Sequence, residues 1–136
     1  MDRIVQLVSE RNHYLENFIT LNKKELEKFR QNDFEDVEKF YETRDRILKL
    51  LGDIEDLISV ELESPGVAKI LSDNDKKVIR SQIRRKEELT QTIIEQDIEL
   101  IAMLDKEKKK IYSEVQSIKK GRKVIGAYKS KTSPNP

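Results

Sequence analysis

Apolar residues recur at steps of three and four along nearly the whole chain, a period that fits helices and not strands. The first stripe reads Ile4, Leu7, Val8, Tyr14, Leu15, Phe18, Leu21 or Asn22, Leu26 and Phe29. The second reads Val37, Phe40, Tyr41, Arg44, Ile47, Leu48, Leu51, Ile54, Leu57, Ile58 and Leu62. The third and longest reads Val78, Ile79, Ile83, Leu89, Ile93, Ile94, Asp97, Leu100, Ile101, Leu104, Ile111, Val115, Ile118 and Ile125. With four glycines and three prolines in 136 residues, the pattern has few places to break.

Two breaks stand out. Gln31-Asn32-Asp33 ends the first stripe, with Asp33 a candidate N-cap and Glu35 and Asp36 suited to a helix's positive end. Ser64-Pro65-Gly66 ends the second. Val67 to Leu71 then reads as a short helical turn over the bundle end, and Ser72 with Asp75 reads as a capping box. Helices are therefore expected over residues 2–30, 34–63 and 73–126. Phe18, Ile47, Leu51, Ile54, Ile58, Ile83, Ile93, Leu100 and Leu104 are the expected core.

Short connections make consecutive helices antiparallel. The expected fold is all-α: an antiparallel up-down-up bundle with coiled-coil-like seams and a long C-terminal third helix. Charged residues at 39%, aromatics at 6% and no Trp suit narrow seams between helices better than a thick core. The third helix would run to roughly 70 Å against roughly 45 Å for the others. The first two then cover only its opening 30 residues or so, and the stripe past Leu104 has no intramolecular partner unless it bends back. The chain divides on this reading into a body, 1–104, a basic amphipathic extension, 105–129, and a disordered end, 130–136.

Charge follows the same division. Residues 1–104 hold 17 Lys and Arg against 23 Asp and Glu, a balance of −6. From Asp105 onward ten basic residues face three acidic ones, a balance of +7. No run approaches the roughly 18 apolar residues of a membrane span. Met1-Asp2-Arg3-Ile4 lacks the basic-then-apolar pattern of a secretory signal, and there is no cysteine, so a cytoplasmic location is expected.

The inventory of reactive groups is poor. Glu10-x-x-His13 has the spacing of di-iron carboxylate bundles, but those need a second such pair, and His13 is the only histidine. Gly121 and Gly126 stand at P-loop separation, yet Ala127 and Tyr128 occupy the positions of the Lys and the Ser or Thr that phosphate and magnesium require. No enzyme activity, metal or cofactor is expected. Two charged residues do interrupt apolar stripes. Folding helices two and three back across the 63–73 connection brings Arg44 opposite Asp97, as a register-fixing ion pair or as two stripe-edge residues reaching water.

The extension carries the functional signal. Lys106, Lys108, Lys109 and Lys110 form a basic block; Ile111, Val115, Ile118 and Ile125 continue an apolar face, with Tyr112 and Tyr128 near its ends. A basic amphipathic helix docks a partner helix, lies on an acidic membrane, neutralises nucleic-acid phosphates, or simply ends in solvent. The acidic body and the lack of an aromatic platform weigh against nucleic acid. A face of Ile and Val without Trp, Phe or Leu weighs against a membrane. A protein partner is the favoured reading, with the chain itself a monomer or small homo-oligomer. Gly121 and Gly126 each cost about 1 kcal/mol relative to Ala, so the last turns are expected to fray or to fold on binding.

Tyr14-Leu15 in the first helix, Glu25-Leu26-Glu27-Lys28-Phe29-Arg30-Gln31-Asn32-Asp33-Phe34-Glu35-Asp36-Val37, and Thr43-Arg44-Asp45-Arg46-Ile47-Leu48 together resemble the flagellar type III export chaperones of the FlgN/FliT type. The segment from Ile118 to Tyr128, with Gly121-Arg122-Lys123 and Ala127-Tyr128, is similar to the family's closing segment. The resemblance implies a small cytoplasmic helical bundle that holds a late export substrate, of hook-filament junction or cap type, and delivers it to the export gate. It further implies substrate binding by the C-terminal helix and gate docking by Tyr128. The alternative from another class is a structural coiled-coil subunit or scaffold of a permanent assembly.

Overall fold

The computed structural model describes residues 3–64, 66 and 71–132, with side chains as far as Arg122. It contains three long helices, α1 (Arg3–Arg30), α2 (Val37–Glu63) and α3 (Asp73–Thr132), and no strand among the described residues. The chain forms two compact units, Met1–Leu100 and Ile101–Pro136.

In the first unit α1 is the most buried element. Its buried positions are Ile4, Val5, Leu7, Val8, Arg11, Asn12, Leu15, Phe18, Asn22, Glu25, Leu26 and Phe29, a continuous three-four series. Phe40, Ile54 and Ile58 of α2 and Leu89 and Leu100 of α3 are buried as well. At one end Ile4, Val5, Leu7 and Val8 cluster with Ile54 and Ile58, and Tyr14, Leu71, Val78 and Ile79 pack around them. Pairing fixes which residues face each other. Between α1 and α2, Arg3 meets Glu61 and Arg11 meets Glu55. Between α1 and α3, Asn12 bonds Gln82 and Arg30 pairs with Glu99.

The α1–α2 connection differs from expectation. Asn32 adopts φ 60°, in the left-handed region, where an Asn is better tolerated than most residues. Asp33 N–H donates to Lys28 O and Asn32 N–H to Phe29 O, a Schellman stop, and Phe34 stacks on Phe29 at 4.6 Å between centroids. Asp33 is thereby spent on this turn, its Oδ1 accepting from Glu35 N–H, and α2 starts three residues later than expected, after Asp36. Ser72 does cap α3, accepting the Asp75 N–H at 3.0 Å. The expected short turn at 67–70 lies outside the described residues.

Of the expected core, Phe18, Ile54, Ile58 and Leu100 are buried, while Ile47, Leu51, Ile93 and Leu104 are half-buried. Ile83 is exposed. The cause is local: Gln82 turns to Asn12 and Lys86 to Glu55, so the seam runs through 82, 86, 89 and 93, and Ile83 stands one position off it. At the far end α3 passes Gly121 and Gly126 and reaches Thr132, so residues 127–132 are helical, including the first three of the expected disordered end. Residues 133–136 lie outside the described ones.

The buried Leu89 and the exposed Ile83 allow a direct check of the seam. Leu89→Ala is expected to cost about 2–4 kcal/mol in urea unfolding, and Ile83→Ala under about 1 kcal/mol. Equal costs would contradict the register.

Candidate functional site

Two groups of polar residues and one apolar helix face make up the candidate sites. The first polar group lies mid-way along the first unit. Arg44 Nη1 and Nη2 donate to Asp97 Oδ1 and Oδ2, both at 2.7 Å, a two-pronged pair with matched geometry. The guanidinium sits 4.8 Å above the Phe18 ring and 5.8 Å from that of Tyr41. Asn22 Nδ2 donates to Gln96 Oε1 at 3.1 Å and reaches Asp97 Oδ1 at 3.4 Å, while Gln96 Nε2 donates to the Ile19 carbonyl. All three helices thus meet at one node. The two residues that sequence placed opposite each other are brought together, and neither simply reaches water.

Sequence reasoning missed the rest of the polar interior. Asn12 Nδ2 donates to both the backbone and side-chain oxygens of Gln82 at 2.7 Å, and buried Arg11 donates to Glu55 at 3.2 Å. The signal was present as a gap: between Val8 and Leu15 the helical period requires an inward position at 11 or 12, and Arg11-Asn12 fill it.

The second group lies at the α1–α2 turn. Glu25 is 4% exposed, Lys28 pairs with Asp36, and a cavity of about 250 Å³ touches all three. Glu25 Oε1 and Asp36 Oδ1 are both buried and receive no N–H. Burial, followed by hydrogen bonding with Asp36, raises the Glu25 carboxyl to about 7. Hydrogen bonding from Lys28 lowers Asp36, and the same contact raises Lys28.

The third feature is the face expected to bind a partner. Within the second unit Ile111, Val115 and Ile118 stand 51%, 41% and 55% exposed, and their spacing puts them on one side of the helix. Tyr112 is 65% exposed beside them. Lys106, Lys108, Lys110, Lys119, Lys120 and Arg122 are exposed around the helix, and Lys109 pairs with Asp105 at 3.0 Å. The backbone at Ile125 and Tyr128 is helical; their side chains lie outside the described residues. Among the described residues no group of three His, Cys, Asp or Glu is placed to hold a metal, and no helix is long and apolar enough to cross a membrane. No family model, curated protein or solved structure matches the chain.

Two measurements follow from these groups. Removing one partner of the Arg44–Asp97 pair, as in Asp97→Ala, is expected to cost about 2–4 kcal/mol, because it strands a largely covered guanidinium. The Arg44→Met/Asp97→Leu double variant should recover much of that loss, so a double-mutant cycle in urea should show strong coupling; additive single losses would contradict the node.

Glu25 gives a pH signature. Its folded value lies above its ordinary one, so its contribution to stability is complete below about 4.5 and is lost as pH rises through about 7. Asp36 is shifted the other way and loses its contribution only on acidification, below this window. Glu25→Gln, neutral throughout, should match the parent near pH 5 and exceed it by about 1–3 kcal/mol at pH 8 in denaturant melts.

Proposed function

We propose that the protein is a helix-capturing export chaperone of the flagellar type III kind, acting through the apolar face of its C-terminal helix. The single observation that carries this reading is the exposed series Ile111, Val115 and Ile118 on a stretch of α3, residues 105–122, whose exposed charged residues are mostly basic. A face of that width suits an amphipathic partner helix, read at i, i+4 and i+7. The body would be an antiparallel up-down-up bundle, a reading supported by the facing pairs Arg11–Glu55, Lys86–Glu55 and Arg44–Asp97. The chain would work in the cytoplasm, without catalysis, metal or cofactor, bind protein and not nucleic acid or membrane, and exist as a monomer or small homo-oligomer. Tyr128, by the resemblance of the closing segment, would dock at the export gate.

Full burial of each Ile or Val contributes about 1.5–3 kcal/mol. The ordering of a glycine-containing segment and the loss of rotational freedom on association offset part of it. The result is reversible capture with a Kd on the order of micromolar.

A second reading has its own support. Leu57, Val60 and Leu62 are also exposed apolar residues, far from the extension in sequence, as a scaffold subunit in a permanent assembly would require. The two readings separate in one experiment. With candidate late export substrates as ligands, deletion of residues 105–136 should leave helical melting nearly unchanged and abolish capture, and Val115→Glu should weaken capture at least about tenfold. Tyr128→Ala should spare capture and reduce delivery. Full-affinity capture by the truncated chain would reject the proposal, and whole-length self-association without capture would favour the scaffold.

A further inference from the structure

The outer face shared by α2 and α3, within the first unit, carries matched features on its two helices. On α2, Leu48, Gly52, Asp56 and Glu63 recur at helical spacing along one side. On α3, Arg80, Ile83 and Ile94 do the same. Leu48 and Ile94 are each 47% exposed. Asp56, Glu63 and Arg80 are exposed and make no ion pair with a described residue.

Gly52 is the least expected of these. It stands in the middle of α2, where glycine costs about 1 kcal/mol relative to Ala, yet nothing among the described residues lies within 4 Å of where a Cβ would stand. The described residues give no packing reason for it. A second helix crossing closely at that point supplies one.

We infer that this α2–α3 face is a self-association surface, on which a second copy of the chain packs about a two-fold axis running along the helices. The argument is complementarity between the two rows. Inside one copy Glu55 faces Lys86 and Arg44 faces Asp97, which sets Leu48 level with Ile94, Gly52 level with Leu89 and Thr90, and Glu63 level with the turn before Arg80. An axis parallel to the helices preserves those levels and lays α2 of each copy over α3 of the other. Leu48 then meets Ile94 twice, Glu63 and Asp56 lie over Arg80 and its neighbour Arg84, and the missing side chain at Gly52 lets the helices close at the centre. A two-fold interface must be complementary to itself in this way. A surface shaped for an unrelated protein needs no match between its own two rows. The inference is independent of the role proposed for the extension.

Sedimentation velocity on the full chain tests it. The expected result is a concentration-dependent dimer with a Kd on the order of micromolar. Ile94→Glu should weaken it at least about tenfold. Gly52→Leu should do the same while the helical melting temperature stays level or rises, since the substitution improves helix propensity and meets open space in the single chain. Glu63→Arg and Arg80→Glu should each weaken the dimer, and the combined variant should restore it. A chain that stays monomeric at about 100 μM overturns the inference, and so does a dimer indifferent to both Gly52→Leu and Ile94→Glu. Dissociation by Val115→Glu but not by Ile94→Glu would place self-association on the extension and overturn it equally. Failure of the combined charge reversal to restore the dimer overturns the proposed axis.

Discussion

The bidentate pair between Arg44 and Asp97 is the interaction on which the packing of the first unit turns. Apolar seams between helices tolerate sliding by a heptad, because one Ile or Leu replaces another at little cost. A charged pair does not. A slip of one heptad between α2 and α3 would set Arg44 opposite Thr90 and Asp97 opposite Val37, leaving two charges to lose water without a partner. Asn22 and Gln96 extend the same demand to α1, since Asn22 reaches both Gln96 and Asp97. The node therefore fixes the alignment of all three helices at one level. Whether it adds net stability over an apolar replacement is a separate matter from the register it imposes.

A second level, eleven residues earlier on α3 at Lys86, repeats the arrangement with different chemistry. Glu55 receives Arg11 from α1 and Lys86 from α3, and Asn12 binds Gln82 just beyond. A third lies at the turn, where Glu25, Lys28 and Asp36 meet. In each case α1 supplies the buried polar group and another segment supplies its match. That division explains why α1 holds so many of the buried positions although its apolar stripe is no richer than the others. Its polar residues are accommodated inside, and the apolar residues displaced from the interior, such as Ile83, Ile94 and Leu48, appear on the outside of α2 and α3.

What was legible in the sequence was whatever depends on period alone. The three helices, their approximate ends and the opposition of Arg44 to Asp97 follow from the spacing of apolar residues and the length of one connection. What was not legible depends on individual side chains overriding the period. Gln82 displaces Ile83 from the seam because Asn12 needs a partner, and no count of apolar residues reveals that demand. The late start of α2 has a similar origin: Asp33 is as good an N-cap in sequence as any, until Asn32 takes the left-handed conformation and draws Asp33 into the stop of α1. On the extension, the spacing of Ile111, Val115 and Ile118 anticipated one exposed apolar face, while the side chains of Ile125 and Tyr128 lie outside the described residues. Glu25 with Lys28 reads in sequence as a solvated helix face, and that reading is wrong for Glu25, which is buried beside Leu26 and Phe29.

The second unit obeys a different balance. No side chain between residues 101 and 122 is fully buried, so its helix is held by propensity, backbone bonding and local pairs such as Asp105–Lys109. Local pairs of that kind contribute only about 0.2–0.5 kcal/mol each, and Gly121 subtracts more than one of them supplies. Such a helix is marginal by itself, while its Ile111, Val115 and Ile118 remain in water at a cost that any apolar cover would remove. Covering them would stabilise the helix and satisfy the face in one step, the coupling that the proposed docking role requires. The charge separation acts in the same direction. With −6 on residues 1–100 and +7 on residues 101–136, the two units carry net charges of opposite sign, so in the proposed capture an acidic amphipathic segment would be drawn to the extension rather than to the body.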